Sequence, residues 1–197
     1  MQTMYRWVAF WIGIGCIVGC GVSLEPAYPR IHSRYLLLQE PELPTGWKED
    51  PACDAVCDAE QEPGHAEQSF SRWTLPGAVV QDVYAHRTSA EAEQHFNSYR
   101  SVQSQTPDPP NTTFVFAPEI TFRSRYAQQE SIGCGIAHFY VCSVLLRYHN
   151  YMIEFFIPVA TPSYPHGMTF QQVNQILQAL DDRIGRCLIA SAATPPC

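Results

Sequence analysis

The chain has 197 residues, a formal net charge of −7, and a composition that is 46% hydrophobic, 12% aromatic and 16% charged. Those values exclude a disordered chain and leave material for one domain with a real core. The acidic balance argues against nucleic acid, whose partners present basic faces.

The N-terminus carries one cation, Arg6, and is then uncharged from Trp7 to Leu24. A short positive region ahead of an apolar run is the pattern of an export signal. Gly13, Gly15, Gly19 and Gly21 weaken it as a spanning helix, because glycine is a poor helix former. The run contains Ile17-Val18-Gly19-Cys20, which resembles the lipobox of bacterial lipoprotein precursors: an aliphatic residue, a small residue just before the cysteine, then the cysteine. Ile17 stands where Leu is commoner. Cys16 does not fit, because Gly13 takes the aliphatic place. The resemblance implies cleavage before Cys20 and acylation of Cys20. It divides the chain into a signal helix at 1–19, a lipid-anchored flexible tether at 20–34 and a single disulfide-bonded domain at 35–197. Secretion without lipid and a retained helix are the alternatives. Without Arg6 the mature charge is −8, so the lipid rather than electrostatics holds the protein to an anionic bilayer, on the extracytoplasmic face of the cell membrane.

Export places the domain in an oxidising compartment, where cysteines pair. Six remain in the domain: Cys53, Cys57, Cys134, Cys142, Cys187 and Cys197. Six cysteines allow fifteen connectivities. Cys134 with Cys142, Cys53 with Cys57, and Cys187 with Cys197 are the attractive pairs. Zinc is the competing reading of Cys53 and Cys57, with His65, but a second pair at ligand spacing is missing. No metal and no cofactor is expected.

In chain order, residues 35–48 are a short apolar run broken by Pro41 and Pro44 and turned at Gly46 before Trp47. Residues 49–66 are an acidic loop. Asp54, Asp58 and Glu60 lack the spacing of a calcium loop and read as a solvated surface. Strands are expected at 68–75 and 78–86, around a Pro76-Gly77 turn. A helix opens at Thr88, whose spacing to Glu91 fits a capping box, with Ala92, Phe96, Tyr99 and Val102 on one stripe. The three prolines of 106–113 end it. Strands are expected at 114–116, 120–126, 136–148 and 151–159, the last two joined by a His149-Asn150 turn. A second helix opens at Thr169, again with a capping box to Gln172, and buries Phe170, Val173, Ile176, Leu177, Leu180 and Ile184. Asp181 and Asp182 sit late in it, against the helix dipole, with Arg183 and Arg186 to offset them. The pattern predicts an α+β fold: an antiparallel sheet of about five to seven strands packed with two main helices, besides the signal helix.

The Leu43-Pro44-Thr45-Gly46-Trp47 opening, the Ser89-Ala90-Glu91-Ala92 helix start, the Cys134 and Cys142 pair and the Arg147-Tyr148-His149-Asn150-Tyr151 hairpin resemble exported bacterial lipoproteins of unknown function. They are similar to the α/β/α sandwich of the PsbP-like and sensor-domain-like group. That resemblance covers residues 35–187 and implies accessory, assembly or ligand-sensing work. It supplies no catalytic or binding motif.

No HExxH, GxSxG or P-loop is present. The seven histidines, at 32, 65, 86, 95, 138, 149 and 166, form no HxH or HxxxH pair and read as solvated or hydrogen-bonded. Alternation sends Tyr151, Ile153, Phe155 and Ile157 to one side of a strand and Met152, Glu154 and Phe156 to the other. That fits a sheet covered on both faces. A sharper reading is an apolar pocket between sheet and helix, with Arg123 and Arg125 contacting an acidic ligand. The expectation is a lipid-anchored, non-catalytic binding or accessory module. Its partners are the membrane, through the lipid, and a small molecule or protein of unknown identity. An exported hydrolase with a site invisible in sequence and a structural envelope component are the alternatives.

Overall fold

Six strands pair antiparallel in one sheet, in the order β1-β2-β3-β6-β5-β4. They are β1 (Lys48–Glu49), β2 (His65–Ser71), β3 (Val79–Ala85), β4 (Gln129–Ile136), β5 (Tyr140–Tyr148) and β6 (Tyr151–Pro158). Two helices, α1 (Ser89–Gln103) and α2 (Phe170–Ala190), complete the expected α+β arrangement. The computed structural model describes residues 31–49, 64–71, 78–103, 114–115, 117–136 and 140–190. The expected signal at 1–19, the expected lipidation site Cys20, and Cys53, Cys57 and Cys197 lie outside those residues. Among the described residues no helix is long and apolar enough to cross a membrane.

The centre of the sheet is where β-branched and aromatic residues are densest. β5 and β6 are buried on both faces except at the start of β5 and at Phe156, so neither shows the half-polar alternation of a solvent-facing strand. Tyr151, Ile153, Phe155 and Ile157 join Val79 and Val83 of β3 and Cys142, Val144, Leu146 and Tyr148 of β5 in the main core. α2 closes this face with Val173, Ile176, Leu177, Leu180 and Ile184, the stripe expected from its period. Its cap forms as expected: Thr169 Oγ1 accepts from the Gln172 N–H at 3.2 Å, and Gln172 Oε1 accepts from the Thr169 N–H at 2.9 Å. The opposite face carries a smaller core of Phe96, Leu145 and Met152, flanked by Tyr84 and Tyr99, under α1. The sheet therefore lies between helices, a layering that buries both of its faces.

The β5–β6 turn has the expected two residues, but the positive φ falls on His149 (53°). Gln128 supports it: its Oε1 accepts from the His149 N–H at 2.6 Å.

Two expectations need correction. Residues 120–126 are not a strand. Ile120 and Phe122 do bury apolar side chains. Side chains, not a strand ladder, satisfy the backbone there: Asn174 Oδ1 of α2 accepts from the N–H groups of Thr121 (2.9 Å) and Phe122 (2.8 Å), and Glu130 Oε2 of β4 from that of Ser124 (2.9 Å). The strand that pairs with β5 on the side away from β6 is β4, whose Gln-Glu-Ser-Ile-Gly-Cys-Gly-Ile sequence has little strand character. The expected long strand at 136–148 is two elements, the end of β4 and all of β5.

Residues 31–34 are held to the domain. Ile31 is already docked, its N–H donating to Tyr151 Oη (2.7 Å) and its carbonyl accepting from the same hydroxyl (2.8 Å). From there, residues 31–43 form a strap with two short 3-10 turns, Ser33–Leu36 and Glu40–Glu42. Gln81, buried in the middle of β3, accepts from the Leu38 N–H at 2.6 Å and donates to the Leu36 carbonyl at 3.1 Å. Arg183 of α2 donates to the carbonyls of Tyr35 and Leu37 and pairs with Glu42 at 2.9 Å.

Candidate functional site

The α1 side of the sheet collects the titratable groups that the main core does not use. β2 and β3 pair His65 with Tyr84, and β3 and β6 pair Asp82 with Glu154, so these four side chains share one face. His65 Nε2 lies 2.9 Å from Asp82 Oδ1, and its ring stacks on Tyr84 with centroids 4.5 Å apart. From α1, His95 packs edge-on against Tyr84 (4.9 Å) and Tyr99 (4.6 Å). His95 Nδ1 meets His86 Nε2 at 3.0 Å. α1 is held at this place by its own cap, Thr88 Oγ1 accepting from the Glu91 N–H at 3.1 Å. Arg147 adds a bond from β5, its Nη1 donating to Ser89 Oγ at 3.1 Å.

Electrostatics on this face follow from burial. Desolvation raises the Asp82 carboxyl above its usual range, with the His65 hydrogen bond working against it. Glu154 is 4% exposed, and burial, with Asp82 beside it, pushes its carboxyl up to about 8. Burial also raises the Tyr84 phenol, and the Asp82 charge adds to that. His86 and His95 are lowered, chiefly by burial. Glu154 is thus a neutral acid at pH 7, and the two facing imidazoles are uncharged.

Between α1 and β4 a cleft of about 450 Å³ opens. Asn97, Arg100 and Ser101 of α1 form one wall, and Ser131, Gly133 and Phe114 the other. Gly133 is required there, because a Cβ would meet Phe114 Cβ at 2.9 Å.

Arg123 and Arg125, the residues expected to contact an acidic ligand, are elsewhere. Both lie in the irregular 120–126 segment on the α2 side, with side chains 58% and 68% exposed. Arg123 pairs with Glu130 at 3.5 Å, and Arg125 with Asp182 of α2 at 3.6 Å. The strand face on which they were to line a pocket does not form, and neither lines the cleft between α1 and β4.

Asp181 is not the exposed helix-end acid that its position implies. It is fully buried. Its Oδ1 accepts from Tyr148 Oη at 2.8 Å and from Ser124 Oγ, and its Oδ2 from the Arg125 N–H at 2.8 Å. Arg183, expected to offset the acid, serves the strap instead. Burial and the Asp181 charge hold the Tyr148 phenol well above its ordinary range.

Cys134 and Cys142 are bonded, directly opposite in the β4–β5 ladder with Cα atoms 4.0 Å apart. Cys187 is also in a disulfide. Among the described residues no three His, Cys, Asp or Glu side chains converge as a metal-ion set.

The His–Tyr–carboxylate face was not legible as a unit in the sequence. Its members are scattered over β2, β3, β6 and α1. One signal was present: His95 falls on the same helical stripe as Ala92, Phe96 and Tyr99, which aims it at the sheet. No protein-family model, curated protein or solved structure matches the chain.

Proposed function

We propose that the protein is a lipid-anchored, extracytoplasmic module. On this reading Cys20 is the acylated mature N-terminus, and the domain binds a small-molecule or protein partner without catalysis. The observation that carries it is the Ile17-Val18-Gly19-Cys20 lipobox placed just ahead of the strap that Tyr151, Gln81 and Arg183 clamp to the domain. A short tether then joins lipid to folded protein. The Cys134–Cys142 disulfide supports an oxidising compartment. The cleft between α1 and β4 supports the binding half, since its volume lies within the ~300–1,000 Å³ of ligand pockets. The Leu43-Pro44-Thr45-Gly46-Trp47 opening and the helix–sheet–helix layering support kinship with the PsbP-like and sensor-domain-like group of exported lipoproteins.

A hydrolase is the less favoured reading. Among the described residues His65 is bonded to Asp82 and His95 to His86, and no hydroxyl or thiol completes a nucleophile–base pair with either.

The test is metabolic labelling in a lipoprotein-competent bacterium with an alkyne analogue of palmitate. The wild type and Cys16→Ala should take the label, and Cys20→Ala should lose it and accumulate at precursor mass. Equal labelling of Cys20→Ala would remove the anchor from this reading.

A further inference from the structure

The binding reading leaves the imidazole pair at the seam between α1 and the sheet without a task. A 3.0 Å contact between His95 Nδ1 and His86 Nε2 needs one nitrogen to donate and the other to accept. It survives with the pair neutral or singly charged. With both rings protonated, both facing atoms carry hydrogens and both rings carry charge, and the contact turns repulsive. We infer that the His86–His95 pair is an acid-labile latch: protonating both rings releases the N-terminal half of α1, Phe96 with it, and uncovers the apolar surface of Leu145 and Met152 on the sheet.

The two sides of the latch are held unequally. His86 is fixed to the β5–β6 turn, its N–H donating to the Asn150 carbonyl at 2.8 Å and its own carbonyl accepting from Asn150 Nδ2 at 3.0 Å. His95 rides on α1, which among the described residues packs Ala92 and Phe96 against the small cluster with Leu145 and Met152, whereas α2 is built into the main core. Repulsion therefore moves α1 and not the sheet. A small, separately packed cluster is the kind of unit that opens without global unfolding.

The charged and titratable groups around the pair set the direction. His65 faces it from β2, Asp82 and Tyr84 from β3, Arg87 from the connection, Glu91 and Tyr99 from α1, Arg147 from β5 and Glu154 from β6. Only Glu91 favours a charged His86, and its carboxylate already accepts from the Arg87 N–H at 3.0 Å. His95 is disfavoured as a cation by burial first, then by charge on His86 and on His65. Both rings therefore titrate below the ordinary imidazole value. The latch is closed above about pH 6.5 and opens as the pH falls through the lowered values.

Hydrogen exchange on the full chain in detergent, corrected for intrinsic rates, reads this directly. Between pH 7.5 and 5.5 the opening of α1 should rise severalfold, since both imidazoles bind protons more readily once released than in the closed contact. α2 should be unchanged. His95→Phe keeps a ring against Tyr84 and Tyr99 but takes no proton. His86→Gln keeps a donor for His95. Each should flatten the pH response of α1, while His149→Asn, in the turn, should leave it intact. Equal α1 protection at both pH values, or a wild-type response in His86→Gln and His95→Phe, would overturn the latch. Near-UV circular dichroism at pH 7.5 reports whether each variant folds; should His95→Phe fail, His86→Gln alone decides.

Discussion

Glu154 sets a carboxyl on the α1 face directly across the β3–β6 ladder from Asp82, and burial keeps it protonated up to about pH 8. A carboxyl raised above its unfolded value stabilises fully below that value, near 4.5, and the contribution is lost as the pH rises through 8. From pH 6.5 to 8.5 the wild type should lose about 2 kcal/mol of stability, at ~1.4 kcal/mol per pH unit until the group ionises. Glu154→Gln should hold constant over that window, as read from urea midpoints. Asp181 is a buried acid whose oxygens accept from three donors. Replacing it with Ala strands the Tyr148 and Ser124 hydroxyls and the Arg125 N–H, and should cost about 3–5 kcal/mol. A loss under about 1 kcal/mol would mean the node is not sealed from water.

At the scale of elements, local rules and partner choice separate. Both helices were legible, because Thr88 and Thr169 cap them and their apolar stripes follow a 3.6 period that needs no knowledge of the rest of the chain. β5 and β6 were legible for the same reason, with strand-forming residues and a two-residue turn. Segment 120–126 misled because its alternation is genuine: Ile120 and Phe122 face the core, but side chains of α2 and β4 take the place of a strand ladder. β4 was missed because Gly133, Cys134 and Gly135 carry no strand signal, and its pairing comes from β5. The chemistry-bearing face was least legible, since it is assembled by register across four elements. The strap offers a test at this scale. Gln81→Leu leaves the Leu38 N–H and the Leu36 carbonyl without their buried partner. It should cost about 2 kcal/mol and raise exchange in residues 31–43, with α1 unaffected. Gly185 of α2 gives a second test, because a Cβ there would run into the Tyr126 ring. Gly185→Ala should loosen the 120–126 segment and destabilise by about 1–3 kcal/mol, the cost of overpacking, as read from thermal unfolding.

For the whole molecule, the sheet divides its labour by face. The α2 side holds the large core and the strap through which a membrane tether would pull. The α1 side holds the small core, the cleft, and the His65–Asp82 and His86–His95 pairs. Cys134–Cys142 closes a loop of sequence separation 8 at the far edge of the sheet from the strap. Its removal by Cys134→Ser with Cys142→Ser should cost about 2.5 kcal/mol from loop entropy. The central claim, a lipid-anchored and disulfide-bonded binding module, is tested most directly by one measurement: a native, non-reducing intact mass of the detergent-extracted full chain made in a lipoprotein-competent bacterium. A lipid-anchored module with a bound partner should give the mass of residues 20–197 plus acyl chains, less the protons of the disulfides, accompanied by a further discrete mass. An uncleaved chain with free thiols would contradict it, because the anchor, the compartment and the cysteine pairing would then fall together.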